Sequence, residues 1–119
     1  FPDRITGNSR NNALRGNAGN DRLTGRAGND WMYGGLNEDT YVFENASSEE
    51  ADQVFELAGE GTDQLDFSTL ATGITLNLGT TSVQNVHVNR TLKLSSGATF
   101  EIASGGSQAD RLTGNSLNN

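Results

Sequence analysis

Apolar residues recur singly, at intervals of nine, through the first third of this chain. Ile5, Leu14, Leu23, Met32 and Tyr41 each stand two residues after an acid or its amide: Asp3, Asn12, Asp21, Asp30 and Asp39. Written in nines, the segment reads GNSRNNALR (7–15), GNAGNDRLT (16–24), GRAGNDWMY (25–33) and GGLNEDTYV (34–42), with Gly always first. A fixed short period marks a repeat architecture. Gly and Asn in the first six positions predict tight turns, because these residues enter left-handed backbone conformations cheaply. The last three positions predict a short strand, its eighth side chain inward and its seventh and ninth outward. Two nines complete one coil, so turns eighteen residues apart are expected to stack. One edge then carries Asp3, Asp21 and Asp39, and the other carries Asn12 and Asp30.

Beyond Phe43 the pattern loosens. AGEGTDQLD (58–66) fits the nine again, with Gly59, Gly61, Asp63 and Leu65 in place, and Asp52–Val54 reads as a looser turn and strand. Alternation returns at Ile74–Leu78, Val86–Val88, Leu92–Leu94 and Phe100–Ile102, each a strand signal. These are expected to be further coils without the turn motif; a separate hairpin around Asn89-Arg90 is the alternative. DRLTGNSLNN (110–119) nearly repeats DRITGNSRNN (3–12). The expected organisation is a single module over 1–119. It comprises regular nonapeptides in 1–43, looser coils in 44–66, motif-poor coils in 67–104 and the start of a further repeat in 105–119. The chain opens on Phe inside a repeat and reads as a piece of a longer protein, whose coil ends are expected to associate head-to-tail.

Composition sharpens the picture. With 15 Gly and 33% hydrophobic residues, an ordinary globular core is hard to build. There is no Cys, which excludes disulfides, and no apolar run approaches the roughly 20 residues of a membrane-spanning helix. The formal charge is −7. Residues 1–43 are balanced, whereas 44–66 hold Glu44, Glu49, Glu50, Asp52, Glu56, Glu60, Asp63 and Asp66 with no base. Such a block argues against nucleic-acid partners and anionic membranes. It is either a solvated face or a cation site.

Four registered nines, with Gly first and Asp or Asn sixth, resemble the repeats-in-toxin (hemolysin-type calcium-binding) family. The resemblance implies an all-β fold: a right-handed parallel β-roll solenoid binding Ca²⁺ between stacked turns. An ion that prefers six to eight oxygens at about 2.3–2.6 Å suits carbonyls plus one carboxylate from each of two turns. Without it the stacked aspartates repel. Carried over by position, the first site joins Asn17, Gly19 and Asp21 to Gly34, Leu36 and Asp39. A second, on the opposite edge, joins Asn8, Arg10 and Asn12 to Gly25, Ala27 and Asp30. There Arg10 stands for a Gly and Asn12 for an Asp, so this site is expected to be weaker. A third joins Gly35, Asn37 and Asp39 to Ala58, Glu60 and Asp63. A fourth, from Arg26, Gly28 and Asp30 to Asp52, is spoiled if the insertion between those turns intervenes.

The resemblance further implies type I secretion and folding on extracellular Ca²⁺. No catalytic constellation stands out: His87 is the sole histidine and no nucleophile elbow is present. The expectation is a non-enzymatic calcium-binding module of a secreted or surface protein. Trp31, Tyr33 and Phe43 are expected to face outward. They suggest the alternatives of a flank covered by another segment or a strip for a polysaccharide or cell-surface partner. A stiff spacer of a large adhesin is a further alternative.

Overall fold

The computed structural model describes residues 1–56, 61–95 and 100–117. Twelve strands, and no helix, occur among them. They are β1 (Arg4–Thr6), β2 (Ala13–Ala18), β3 (Arg22–Thr24), β4 (Trp31–Leu36), β5 (Thr40–Val42) and β6 (Glu50–Phe55). The later ones are β7 (Gln64–Asp66), β8 (Thr75–Asn77), β9 (Gln84–His87), β10 (Arg90–Leu94), β11 (Ile102–Ser104) and β12 (Arg111–Thr113). Successive strands alternate between two sheets through the regular repeats, the sheets being ordered β1-β3-β5-β7-β11 and β2-β4-β6-β10-β9. Every pair is parallel except β9 with β10, and β8 pairs in parallel with β12. The molecule is all-β and mostly parallel, an arrangement consistent with a β-roll.

The nine-residue period explains the register. Arg4 pairs with Arg22, Arg22 with Thr40, and Ala13 with Trp31, each eighteen residues on. Position-eight side chains therefore stack in columns. Ile5, Leu23, Tyr41, Leu65 and Ala103 line one sheet, and Leu14, Met32, Val54 and Leu94 the other. Both columns belong to one core, where Leu23, Val54 and Leu65 are fully buried. Each such side chain contributes roughly 1.5–3 kcal/mol. The turns use left-handed backbone at the second position (Asn17, Arg26, Gly35) and the fourth (Gly19, Gly28, Asn37, Gly61). This is where Gly and Asn recur in the sequence.

Within residues 67–104 two behaviours coexist. β10 and β11 extend the two sheets in parallel, while β9 doubles back on β10 through a turn at Val88 and left-handed Asn89. The hairpin thus continues the second sheet through β10 and ends it with β9 at the edge. Phe43 is not outward: it is 1% exposed and stacks on Phe67 with ring centroids 4.7 Å apart. Strand β5 ends at Val42, so strand alternation no longer governs Phe43, and the later segment covers it. Trp31 does face outward, and Tyr33 is half-buried against Phe55.

Candidate metal centre

Stacking the turns aligns the sixth positions into two ladders. On one edge the amide of Asp3 donates to Asp21 Oδ1 at 2.8 Å. Asp21 in turn donates to Asp39 Oδ1 and Asp39 to Asp63 Oδ1, both at 2.9 Å. Asp63 continues the series onto Glu101 Oε2 at 2.8 Å. On the other edge Asn12 donates to Asp30 Oδ1 and Asp30 to Asp52 Oδ1, at 2.8 and 2.9 Å. One carboxylate oxygen of each accepting residue is thereby spent on joining turns.

The second oxygens carry the chemistry. Asp21, Asp30, Asp39 and Asp63 are each at most 2% exposed, and the Oδ2 of each is buried without a hydrogen-bond partner. Buried polar atoms without partners are rare in folded proteins and call for a missing ligand. The first-position glycines show where it would sit. A Cβ on Gly16 would collide with Asp21 Oδ2 and stand 2.5 Å from the Gly34 carbonyl oxygen. At Gly7 the same place is ringed by Asn12 Oδ1 and, at 2.6 Å, the Gly25 carbonyl oxygen. Side-chain and carbonyl oxygens converge at these repeat glycines, a donor set suited to a hard cation.

The other assigned residues take these places. In the first site the Asn17 carbonyl lies under Gly35, and the Leu36 carbonyl accepts the Gly19 amide at 3.1 Å. In the second, Asn8 and Asn12 bond each other: Asn8 N–H donates to Asn12 Oδ1 at 2.8 Å, and Asn12 Nδ2 to Asn8 Oδ1 at 3.2 Å. The Arg10 carbonyl lies under Gly28, and Ala27 is half-buried in the facing turn. Neither Asn8 nor Arg10 adopts the left-handed backbone of the later turns. In the third site the Asn37 carbonyl lies under Gly61, while Ala58 and Glu60 fall outside the described residues.

Two residues escaped sequence reasoning. Glu56 comes within the reach of Asp39 and Asp63: one oxygen from each of the three carboxylates lies within 4.8 Å of the others. Arg90 occupies the opposite edge. Its guanidinium, 3% exposed, bonds Asp52 Oδ2, Glu50 Oε2 at 2.9 Å and the Glu44 carbonyl at 3.2 Å, while its Nε donates to His87 at 3.1 Å. Asp30 and Asp52 do stack as the fourth site requires, yet the cation beside Asp52 is an arginine. The only sequence signal for Glu56 was the acidic run itself; Arg90 had none, since it lies 38 residues from Asp52.

Burial sets the electrostatics. Desolvation pushes the carboxyl of Asp39 to about 6 and of Asp63 to about 7 from 3.8, with neighbouring carboxylates adding to the rise. Asp30, Glu50 and Glu56 are raised by burial too, and Asp52 rises to about 6 although Arg90 opposes it. These groups give up their protons less readily than free carboxylates.

No curated protein and no solved structure matches the chain significantly. A family model does match, in four copies across residues 6–41, the segment that builds the regular part of both ladders. That model is the RTX calcium-binding nonapeptide repeat, to which these residues are similar.

Proposed function

We propose that this chain is a non-enzymatic, calcium-binding, right-handed β-roll module that folds on meeting extracellular Ca²⁺, as part of a secreted or surface protein. The observation that carries the reading is the set of partnerless, buried Oδ2 atoms on Asp21, Asp30, Asp39 and Asp63. Burying one ionised carboxylate without a counter-charge costs several kcal/mol. Asp39 and Asp63, where neighbouring carboxylates reinforce the effect of burial, weigh heavily against the roughly 5–15 kcal/mol of a whole domain's stability. The ion therefore decides whether the chain folds, and ligand binding and folding become one event. Right-handedness is favoured because crossovers between parallel strands almost always take that hand. Extracellular modules bind Ca²⁺ at about 10⁻⁴–10⁻³ M, which would keep the chain unfolded inside a cell and fold it outside.

The test is circular dichroism of the purified chain at neutral pH, in millimolar Ca²⁺ and after adding chelator. The strand signal is expected to collapse on chelation and return on adding Ca²⁺. A spectrum indifferent to the ion would refute the folding switch.

A second reading has its own observation. Half-exposed Trp31 meets Phe55 edge-on at 6.1 Å, beside a shallow groove lined by Asn11, Asn29 and Gln53. Aromatic and amide side chains together suit a polysaccharide. Glycan binding lost in Trp31→Ala, with calcium affinity intact, would establish it.

A further inference from the structure

The glycine of the first repeat position returns in each regular turn, and in two of these turns its neighbour eighteen residues on supplies a carbonyl. Gly7 faces the Gly25 carbonyl and Gly16 faces the Gly34 carbonyl. Gly34 breaks the series. Strands β4 and β6 pair Met32 with Val54 and Tyr33 with Phe55, so the next residues in register are Gly34 and Glu56. What stands 2.5 Å from a Cβ on Gly34 is Glu56 Oε1, beside Asp39 Oδ2. A carboxylate thus takes the place that a neutral carbonyl holds at Gly7 and Gly16.

This carboxylate is held in position from several sides. The Gly34 amide donates to the Tyr41 hydroxyl at 2.7 Å, and that hydroxyl donates to Glu56 Oε1. The Gly35 amide reaches the same oxygen at 3.4 Å. Ser95 clamps the Glu56 backbone, its Oγ accepting the amide at 2.9 Å and donating to the carbonyl at 3.1 Å. Oε1 is thus anchored, while Glu56 Oε2, Asp39 Oδ2 and Asp63 Oδ2 have no partner. All three residues are at least nine-tenths buried, at 5%, 1% and 1% exposure. Oxygens within 4.8 Å of one another fit around one ion bound at about 2.3–2.6 Å. Three buried carboxylates in such proximity repel unless a cation lies between them or, in its absence, Asp63 keeps a proton that it shares with Glu56.

We propose that Asp39, Glu56 and Asp63 form a three-carboxylate site for a hard cation, filled before the two-carboxylate turns and with higher affinity. The inference rests on the calcium reading above and deepens it for one site. Ligand charge count is a main determinant of calcium affinity, so a third carboxylate strengthens binding by about tenfold or more. A trivalent ion, whose charge the three carboxylates match, gains most. The site also lies where the regular repeats give way to looser ones, so the first ion captured would fasten the two regions together.

Calorimetric titration of the whole chain with Ca²⁺, and Tb³⁺ luminescence excited through tyrosine, test this with Glu56→Gln and a control, Glu49→Gln, on an exposed acid. The wild type and the control are expected to show an early step at least about tenfold tighter than the rest. Glu56→Gln should lose that step and keep the later ones, and its early Tb³⁺ emission, sensitised by adjacent Tyr41, should fall with it. An unchanged early step in Glu56→Gln overturns the proposal and leaves the calcium reading standing. Absence of Ca²⁺ binding in the wild type overturns both. Should Glu56→Gln fail to fold, Glu56→Gly restores the residue type of Gly16 and Gly34. Steps of uniform affinity then support the proposal, and a persisting tight step overturns it.

Discussion

The two edges of the stack solve the same electrostatic problem by different means. Along Asp21, Asp39 and Asp63 each rung leaves a buried oxygen without a partner, and a metal ion must come from outside. Along Asn12, Asp30 and Asp52 the charge at both ends is managed from within, and only Asp30 between them keeps a partnerless oxygen. Asn12 removes a carboxylate at one end, and Arg90 brings a guanidinium to the other. A buried arginine is always charged, and its planar fork holds Glu50 and Asp52 together. The difference teaches that a stacked carboxylate specifies a cation without specifying which one. Calcium is conditional on the surroundings, whereas the arginine is present whenever its strand is in place.

The comparison breaks most readily at Arg90. Arg90→Met strands Glu50 and Asp52 without their counter-charge, and losing one member of a buried ion pair costs about 3–5 kcal/mol. Denaturant unfolding should show this loss at the lowest Ca²⁺ that keeps the wild type folded. At high Ca²⁺ the gap should narrow, with calorimetry counting one more ion than in the wild type, because the vacated place between Asp30 and Asp52 suits a metal. Equal ion counts would show that the two cations are not interchangeable.

The pH dependence sharpens the same contrast. In the metal-free protein Asp39 and Asp63 hold protons up to about 6 and about 7, whereas the unfolded chain releases them near 3.8. Folded-state values raised in this way make metal-free stability greatest below the unfolded value and lost as pH climbs through 6 to 7. With Ca²⁺ the direction reverses, since ion and proton compete for the same oxygens. Melting curves in chelator from pH 4 to pH 7 should therefore fall while those in Ca²⁺ rise; parallel curves would contradict the assignment.

Smallest is the effect of Asn12→Asp. It restores a second carboxylate to the weaker turn and should raise calcium affinity there by about tenfold, through ligand charge. The side chain must first give up its bonds with Asn8, which limits the gain. Isothermal titration against the wild type would resolve the step.

Much of this was legible along the chain. A period of nine placed Leu14, Leu23 and Met32 in the core, because an inward position that recurs at half a coil must stack on itself. It also aligned Asp21 with Asp39, and Asn12, an amide in the place of an acid, with Asp30, because backbone pairing repeats every eighteen residues. Local rules reach that far: turn chemistry, strand alternation and period act between near neighbours.

What they do not reach is any contact made across an irregular insertion. The sequence by itself determined that aspartates would stack and demand positive charge. Only the tertiary structure decided which charge answers at each place. Glu56 joins Asp39 once β6 has settled against β4, and Arg90 meets Asp52 once the β9–β10 hairpin has folded back into the sheet. Phe43 was misplaced for the same reason, since its burial depends on Phe67 in a later segment. A carboxylate's nearest cation is set by distance in space, and after the repeats end that distance no longer follows from spacing along the chain.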